Sequence, residues 1–183
     1  LETDVAVELN LDGVGRHTLQ TQIPFLDHML AQLATHGLFD LTIEARGDLQ
    51  VDLHHTVEDV GIALGEAFAQ AVGDKRGIRR FASALVPLDE ALARVVVDIS
   101  GRPYLVYQAP QLQGLIGSFN VTLVKEFMRA LAMNMKATIH VGVLYGENLH
   151  HCVEAIFKAL ARSLDQATAL DARTAEVPST KGS

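Results

Sequence analysis

Apolar residues alternate with polar ones near the start of the chain and again near its middle. The alternating residues are Val5, Val7, Leu9 and Leu11 in the first stretch, and Ala93, Val95, Val97 and Ile99 in the second. Because successive side chains of a strand point to opposite faces, this period of two predicts one half-buried β-strand in each stretch. Asp12-Gly13 and Ser100-Gly101 follow the two stretches and predict a turn after each strand.

Four other stretches have the apolar spacing of helices. Residues 25–36 follow Pro24, which favours a helix start, and residues 122–133 form a second candidate. Two longer helices open at related pentapeptides, His54-His55-Thr56-Val57-Glu58 and His150-His151-Cys152-Val153-Glu154, after which apolar residues share one helix face. Further strands are predicted over residues 39–46, 49–53 and 136–145.

The order of these elements repeats along the chain. Each half reads strand, turn, helix, strand and helix, so we predict an α+β protein built by internal duplication, with halves of about 1–90 and 91–183. We expect β-sheets packed on one side of a four-helix layer. One domain over 1–183 is favoured over two independent domains, because a half alone would bury too small a core. The polar tail from Asp171 is either disordered or a binding arm.

Composition and charge exclude several classes of protein. The chain has 183 residues, 49% of them hydrophobic, and its mean hydropathy of +0.19 suits a compact globular protein. Apolar stretches fall well short of the ~20 residues that a bilayer span needs, so we expect a cytoplasmic protein without a membrane partner. Acidic residues (22) outnumber basic ones (15), and no basic stripe interleaves with aromatics, so we expect no nucleic-acid partner.

The two His-His-x-x-Glu pentapeptides have the residue types and spacing of metal sites. A single cysteine, Cys152, excludes a disulfide and a thiolate-built zinc site, whereas imidazole and carboxylate suit Mn, Fe, Zn or Ni. On a helix, His54 and Glu58 share a face, while His55 projects about 100° away, so adjacent imidazoles would serve different ions. One such pentapeptide alone could equally be a polar helix start. Two copies at matching places in a repeat favour metal ligation.

The first predicted helix of each half offers further candidates. His28 follows Asp27, which could orient it as a metal ligand, although the two residues could also be a polar pair that caps the helix. His36 ends the same helix, where an imidazolium would also suit the helix dipole. Alignment of the halves places Glu126 opposite His28, so we predict that Glu126 is a metal ligand. The alternative is a solvated carboxylate.

Cationic residues form a second group of candidates. Arg80, Arg102 and the segment Ser179-Thr180-Lys181 offer positive charge and hydroxyls, a combination suited to a phosphate, although surface solvation explains each one separately. Lys158 follows Glu154 by one helical turn, where an ion pair within the helix is the alternative explanation.

Five motifs in this sequence resemble the imidazoleglycerol-phosphate dehydratase family across essentially the whole chain. They lie at residues 23–30, 52–59, 100–104, 150–154 and 178–182. The resemblance implies a duplicated α+β fold of the ribosomal protein S5 domain 2-like type and two Mn²⁺ ions per active site, with other divalent ions possible. It also implies a homo-oligomer, a 24-mer of trimers, with active sites between subunits.

The resemblance also assigns roles to individual residues. The metal ligands it implies are His28, His54, His55, Glu58, His150, His151 and Glu154, with Glu126 where many members have a histidine. Glu2 is the implied catalytic carboxylate, and Glu58 and Glu154 also belong to the catalytic set. The implied substrate contacts are Glu2, Gln32, His36, Arg80, Arg102, Lys158, Ser179 and Lys181.

The reaction that the resemblance implies is the dehydration of D-erythro-imidazole glycerol phosphate to imidazole acetol phosphate in L-histidine biosynthesis. The proton lost lies on an unactivated carbon. A metal on the ring nitrogen would stabilise an imidazolate, whose electrons expel the hydroxyl next to the ring and so form a diazafulvene. Glu2 would then take the proton from the neighbouring carbon. A di-metal phosphate hydrolase is the alternative enzyme, and a metal-storage or scaffold protein is the non-enzymatic one.

Overall fold

The structure, a computed structural model, describes residues 3–179 of the chain, and within that range the chain forms nine strands and four helices. The strands are β1 (Thr3–Asn10), β2 (His17–Gln20), β3 (Asp40–Gly47), β4 (Phe81–Leu88), β5 (Ala91–Asp98), β6 (Tyr104–Gln108), β7 (Leu115–Ile116), β8 (Phe119–Asn120) and β9 (Thr138–Tyr145). The helices are α1 (Pro24–Gly37), α2 (His54–Val72), α3 (Leu123–Met135) and α4 (Leu149–Thr168).

Most of the predicted elements are confirmed, including both His-His pairs at helix starts. The two alternating stretches form β1 and β5, and the helices predicted at 25–36 and 122–133 are α1 and α3. At the start of α4, the Asn148 side chain accepts hydrogen bonds from the backbone N–H groups of His150 and His151. Asparagine at this position satisfies backbone donors that the first helical turn leaves unpaired, which fixes where α4 begins.

The strand predicted over 49–53 is wrong, because this segment is a turn that leads into α2. The N–H of Leu49 donates to the Gly47 carbonyl at 3.0 Å, and the N–H of Val51 donates to the Asp48 carbonyl at 3.2 Å. None of the strand pairs formed by residues 3–179 includes this segment. Its short alternation therefore has no neighbouring strand to pair with.

Two mixed sheets share one strand arrangement. In sheet 1, ordered β1-β3-β2, β3 pairs antiparallel with β1 and parallel with β2. In sheet 2, ordered β4-β5-β9-β6, β9 pairs antiparallel with β5 and parallel with β6. The register also corresponds, since Val5 faces Ala45 in sheet 1 as Ala93 faces Val143 in sheet 2. Sheet 2 has an additional strand, β4, which a tight turn joins to β5.

The four helices lie between the two sheets. α2 packs on β1 of sheet 1, α4 packs on β4 and β5 of sheet 2, and the helices pack on each other as the pairs α1/α4 and α2/α3. The α+β class is confirmed, but the expectation that the sheets lie on one side of the helices is wrong. Residues on several faces of α4 are buried, including Ile156, Phe157 and Ala161, so this helix packs on helices and a sheet at once.

Two glycines on α2 allow a close approach to α3. A Cβ atom at Gly61 would lie 2.9 Å from the Phe127 carbonyl, and one at Gly65 would lie 2.8 Å from the Leu131 carbonyl. These distances leave no room for a larger residue without movement of the α3 backbone. The helix contact that brings residues of α2 beside residues of α3 therefore depends on glycine at both positions.

Candidate functional site

Three predicted metal ligands meet where α1 packs on α4, and we call them the first cluster. His28 Nε2 and His150 Nε2 each lie 3.0 Å from the same carboxylate oxygen of Glu154. One ligand atom from each of the three residues lies within 4.8 Å of the others. His150 and Glu154 are one turn apart on α4, so the helix itself holds them on one face, and α1 brings His28 to them.

The carboxylate of Glu154 is the centre of the first cluster. It is 11% exposed and accepts a hydrogen bond from Lys158 Nζ at 2.7 Å as well as those of the two histidines. Burial raises the pKa of Glu154, but hydrogen bonds from Lys158, His150 and His28 outweigh burial and lower it to about 2. The group is therefore ionised at neutral pH, as a metal ligand must be.

A second group of predicted ligands lies where α2 packs on α3, and we call it the second cluster. His54 Nε2 and Glu58 Oε2 are 3.5 Å apart on α2. Arg129 of α3 links them to Glu126, since its guanidinium lies 4.0 Å from Glu58 and 3.6 Å from Glu126. Glu126 therefore reaches Glu58 through the guanidinium of Arg129, whose contact with Glu58 sequence reasoning missed. Within residues 3–179, only the first cluster brings three ligand atoms within 4.8 Å of one another.

The second histidine of each pair does not share the glutamate contact of the first. The His55 ring centre lies 5.8 Å from that of His54 and nearly perpendicular to it. The His151 ring turns to the β4–β5 turn, where its Nδ1 lies 2.7 Å from Glu90 Oε2. That adjacent histidines serve different ions stays a prediction, with which the contact of His151 to Glu90 rather than to Glu154 is compatible. Glu90 was missed from the sequence, because nothing in the local spacing links residues 90 and 151.

A polar stripe continues from the first cluster along the α1/α4 contact. His36 Nε2 lies 3.2 Å from Gln32 Oε1, and Arg162 donates to the His36 carbonyl at 3.4 Å. Burial, followed by the nearby ammonium of Lys158, lowers the pKa of His36. Gln32, His36 and Lys158, predicted as substrate contacts, therefore form one continuous surface with the first cluster.

The predicted phosphate residues line a separate cavity of about 220 Å³, which we call the cationic cavity. Arg80, Arg102 and Ser179 line it together with Lys75, which sequence reasoning missed. Lys75 Nζ lies near enough to Gly101 that a Cβ there would be 3.2 Å from it. The structure thus gathers Lys75 and Arg80 from one stretch of the chain, Arg102 from another, and Ser179 from the tail.

Arg80 is held firmly in the cationic cavity. Its Nε and Nη2 donate to the two oxygens of Asp98 at 2.7 and 3.3 Å, and its Nη1 donates to the Pro178 carbonyl at 2.6 Å. The backbone N–H of Gly77 also donates to the Glu176 carbonyl. The tail is therefore bound to the domain as far as Ser179, which argues against a disordered segment there.

The cationic cavity and the two clusters lie at opposite ends of the helices. The backbone N–H of Arg80 donates to the Ala167 carbonyl in the last turn of α4, and Lys75 follows the end of α2. At a rise of about 1.5 Å per residue, Ala167 lies about 20 Å along α4 from Glu154, and Val72 lies about as far along α2 from Glu58.

The donor atoms of the first cluster fit a divalent ion. Two imidazole nitrogens and an ionised carboxylate oxygen are ligands that Mn²⁺, Fe²⁺ and Zn²⁺ accept. The second cluster offers one imidazole and two carboxylates, a harder set of donors. Glu2 and Lys181, predicted as acid/base and phosphate contact, lie outside the described residues. No helix among residues 3–179 is long and apolar enough to cross a membrane.

Comparisons with known proteins give one consistent result. The model of the family described as imidazoleglycerol-phosphate dehydratase matches residues 21–164. The chain is 56% identical over 181 residues to an imidazoleglycerol-phosphate dehydratase of Geobacter metallireducens, covering 99% of this chain and 93% of the relative. It is 57% identical over 182 residues to that of Frankia casuarinae, covering 100% and 93%.

Two solved structures have a similar fold. The crystal structure of the dehydratase from Staphylococcus aureus has a TM-score of 0.85 and 40% identity, covering 91% of this chain and 95% of that chain. The structure of the Pyrococcus furiosus protein in complex with (S)-C348 also has a TM-score of 0.85, with 41% identity and coverage of 99% and 96%.

Proposed function

The chain belongs to the imidazoleglycerol-phosphate dehydratase family, and from this premise we propose that its two clusters and its cationic cavity are parts of one active site, assembled from different copies of the chain. The enzyme is a dehydratase, a carbon–oxygen lyase that acts in histidine biosynthesis. The first cluster carries the proposal, because its residues include three of the seven ligands that the family motifs imply.

The proposed metal sites follow the two clusters. His28, His150 and Glu154 would hold one divalent ion, and His54, Glu58 and Glu126 would hold another, with His55 and His151 completing the coordination of ions bound mainly by other copies. We propose two Mn²⁺ ions per active site. When bound, such ions supply Lewis-acid polarisation of the substrate's imidazole ring.

The size of the substrate supports an active site between copies. An imidazole ring, three carbons and one phosphate span about 10 Å at most. Within one chain, the cationic cavity is about 20 Å along α4 from Glu154 and about 20 Å along α2 from Glu58. One substrate molecule therefore cannot reach a cluster and the cationic cavity of the same chain, so the cavity would receive the phosphate of a substrate bound at another copy's clusters.

The assignment of residues to substrate contacts rests on their position. Arg80, Arg102 and Ser179 line the cationic cavity and would bind the phosphate there. Lys181, which lies outside the described residues, is proposed as a further phosphate contact. Gln32, His36 and Lys158 lie beside the first cluster and would contact the glycerol side of the substrate. By the offsets of the repeat, Gln32 and Lys158 correspond to the apolar Ala130 and Ile62, whereas His36 corresponds to the polar Asn134.

The proposed proton chemistry uses carboxylates in different states. The low pKa of Glu154 keeps its carboxylate ionised, so Glu154 would bind a metal ion and would not transfer a proton. Glu58 has the same place in the second cluster, beside the guanidinium of Arg129. Glu2 is the proposed acid/base, which takes the proton from the carbon next to the one that loses its hydroxyl.

We propose that the chain is one domain made by duplication, with halves of about 1–90 and 91–183 and the ribosomal protein S5 domain 2-like fold. The equal strand arrangement and register of the two sheets support this. The turn at residues 89–90 lies at the proposed junction, so β4 comes from the first half in sequence but pairs with the second half's β5.

Assembly into a homo-oligomer, proposed as a 24-mer of trimers, would cover an apolar part of sheet 2. Phe81 and Leu85 on β4 are 59% and 57% exposed on the side away from α4, next to the partly exposed Val96 of β5. A large apolar patch on a soluble protein marks an interaction surface. Sedimentation or light scattering of the metal-loaded protein would measure the size of the particle.

A product assay tests the proposed function against its alternatives. Metal-loaded protein is incubated with imidazole glycerol phosphate, and both the enolisable ketone and free phosphate are measured. Formation of the ketone without phosphate is the expected result. Release of phosphate would identify a di-metal hydrolase instead, and tightly bound metal with neither product would indicate storage.

A further inference from the structure

Glu90 joins three separate elements beside the start of α4. It lies in the turn between β4 and β5, and its Oε1 accepts hydrogen bonds from the backbone N–H groups of Asn148 at 2.8 Å and Glu147 at 3.2 Å. Its other oxygen, Oε2, lies 2.7 Å from His151 Nδ1. One carboxylate thus fixes the loop between β9 and α4 and also the ring of a proposed metal ligand.

The contact with Glu90 determines which nitrogen of His151 carries the proton. An ionised carboxylate can only accept hydrogen bonds, so the short contact requires a proton on His151 Nδ1. In a neutral ring the proton on Nδ1 leaves Nε2 with a free lone pair, which is the form that binds a metal. Histidine ligands of metals commonly donate their other N–H to a carboxylate in this way.

We propose that Glu90 is a positioning residue, which holds His151 in the Nδ1–H form and directs its Nε2 to a metal ion. The inference rests on the proposed role of His151 as a metal ligand. The neighbouring Asp89 does not share the role, because its carboxylate is 76% exposed and lies 3.9 Å from His151 Nε2. Asp89 therefore provides a matched control in the same turn.

The internal repeat gives Glu90 a counterpart. The register of the sheets pairs Val5 with Ala93 and Val7 with Val95, and the same offset pairs the sequence position of Glu2 with that of Glu90. A glutamate therefore directly precedes each of the two corresponding strands, β1 and β5, in the sequence. The first is the residue to which the family motifs assign proton transfer, and the second contacts a histidine of the metal motif.

The variant Glu90→Gln separates positioning of His151 from fixing of the loop. The amide oxygen can still accept the N–H groups of Glu147 and Asn148, so the loop keeps its anchor. The amide nitrogen then faces His151 Nδ1 and can only donate a hydrogen bond to it. This favours a proton on His151 Nε2, and that nitrogen then has no lone pair with which to bind a metal. Glu90→Ala removes both contacts, and Asp89→Asn removes a nearby charge while leaving both contacts in place.

Calorimetric titration of Mn²⁺ into the metal-free protein tests the proposal, with the thermal midpoint of the metal-free form measured in parallel. Glu90→Gln should lower the affinity of one class of sites by about 10- to 100-fold with an unchanged midpoint, while Asp89→Asn behaves as wild type. Wild-type affinity in Glu90→Gln would overturn the proposal. Glu90→Ala, which loses the loop anchor as well, should have a lowered midpoint. A loss of affinity in Glu90→Gln accompanied by a similarly lowered midpoint would also overturn the proposal.

The variant His151→Ala distinguishes this proposal from the proposed function. If His151→Ala loses a metal site and Glu90→Gln does not, the metal centre stands and the positioning role of Glu90 is wrong. If wild-type protein and His151→Ala bind Mn²⁺ equally, His151 is not a ligand and both the assignment and the inference that depends on it fail.

Discussion

The backbone N–H of Arg80 donates a hydrogen bond of 2.9 Å to the carbonyl oxygen of Ala167, in the last turn of α4. Since His150 and Glu154 of the first cluster lie in the first two turns of the same helix, this bond places Arg80, proposed to bind the phosphate, about 20 Å along α4 from Glu154. The length of α4 thus separates two groups of residues that, in the proposed function, contact the same substrate molecule. This separation is the observation from which we propose an active site between copies.

Removal of metal is expected to affect assembly as well as activity. If ions draw ligands from different copies, chelation removes contacts between subunits, and oligomerisation and metal binding stabilise each other. Size-exclusion chromatography after chelation should show smaller particles, and added Mn²⁺ should restore both size and turnover. A particle of unchanged size that regains no activity with Mn²⁺ would contradict ligand sharing.

Glu126→Ala should lower the metal content per subunit or weaken one class of ions. Glu126 is 26% exposed and lies 3.6 Å from Arg129, so its removal also leaves that cation without one of its partners. Glu126→His should restore metal binding, because imidazole replaces the carboxylate as a donor. Measurement of bound metal in the two variants decides whether Glu126 is a ligand. If Glu126 is only a solvated carboxylate, Glu126→Ala would keep both ions and full activity.

Glu2→Gln should keep metal and substrate binding but lose most of the turnover. The amide keeps the shape of the side chain and removes its basicity, so kcat should fall by about 10² to 10⁴ while KM changes little. Steady-state kinetics and a metal assay on the same preparation measure both quantities. Turnover near that of wild type would remove Glu2 from the mechanism.

Asp98→Asn should weaken phosphate binding without disturbing the metal clusters. The carboxylate of Asp98 holds the Arg80 guanidinium through two hydrogen bonds, and an amide would accept only one of them. We expect KM to rise about tenfold, equivalent to about 1.4 kcal/mol, with unchanged metal content. Asp165→Asn, on α4 beside Arg162, is a control that should leave KM unchanged.

Asp40→Asn should lower the thermal midpoint of the metal-free protein near neutral pH, and less so in acid. Hydrogen bonds from the N–H groups of Val14 and Arg16 lower the pKa of Asp40. A lowered carboxyl pKa contributes stability above the unfolded pKa, near 4, which is lost as pH falls through the folded pKa. The midpoints of the two proteins should therefore converge as pH falls. A constant difference would contradict this role.

Much of the fold could be predicted because helical and strand periods are local properties of the sequence. The position of α4 follows from its apolar spacing and from the His-His pair at its start. The order of sheets and helices in layers could not be predicted. It depends on whether the side of each helix that faces away from one sheet packs on another helix or on another sheet. The segment at 49–53 shows the same limit, because alternation alone does not supply a neighbouring strand.

Some contacts of the candidate site could likewise be predicted from the sequence, and others could not. His150 and Glu154 could be paired from the sequence because one helical turn separates them. Their contact with His28 depends on the packing of α1 on α4. Glu90 reaches His151 from the β4–β5 turn, and Lys75 reaches the cationic cavity from the turn after α2. The positions of residues in such turns cannot be read from their spacing in the sequence. The internal repeat of the sequence aligns Glu126 with His28 and so makes Glu126 a candidate, although no motif surrounds it.

Complementation between two inactive variants tests the shared active site most directly. Arg102→Ala disables the cationic cavity and His28→Ala disables the first cluster, and the two chains are co-expressed with different tags so that mixed particles can be purified. If the cavity of one copy serves the clusters of another, random mixing gives about a quarter of the sites an intact set, and activity should return to about a quarter of wild type. Mixed particles with no more activity than the two variants alone would show that each chain uses its own residues, and would contradict the account.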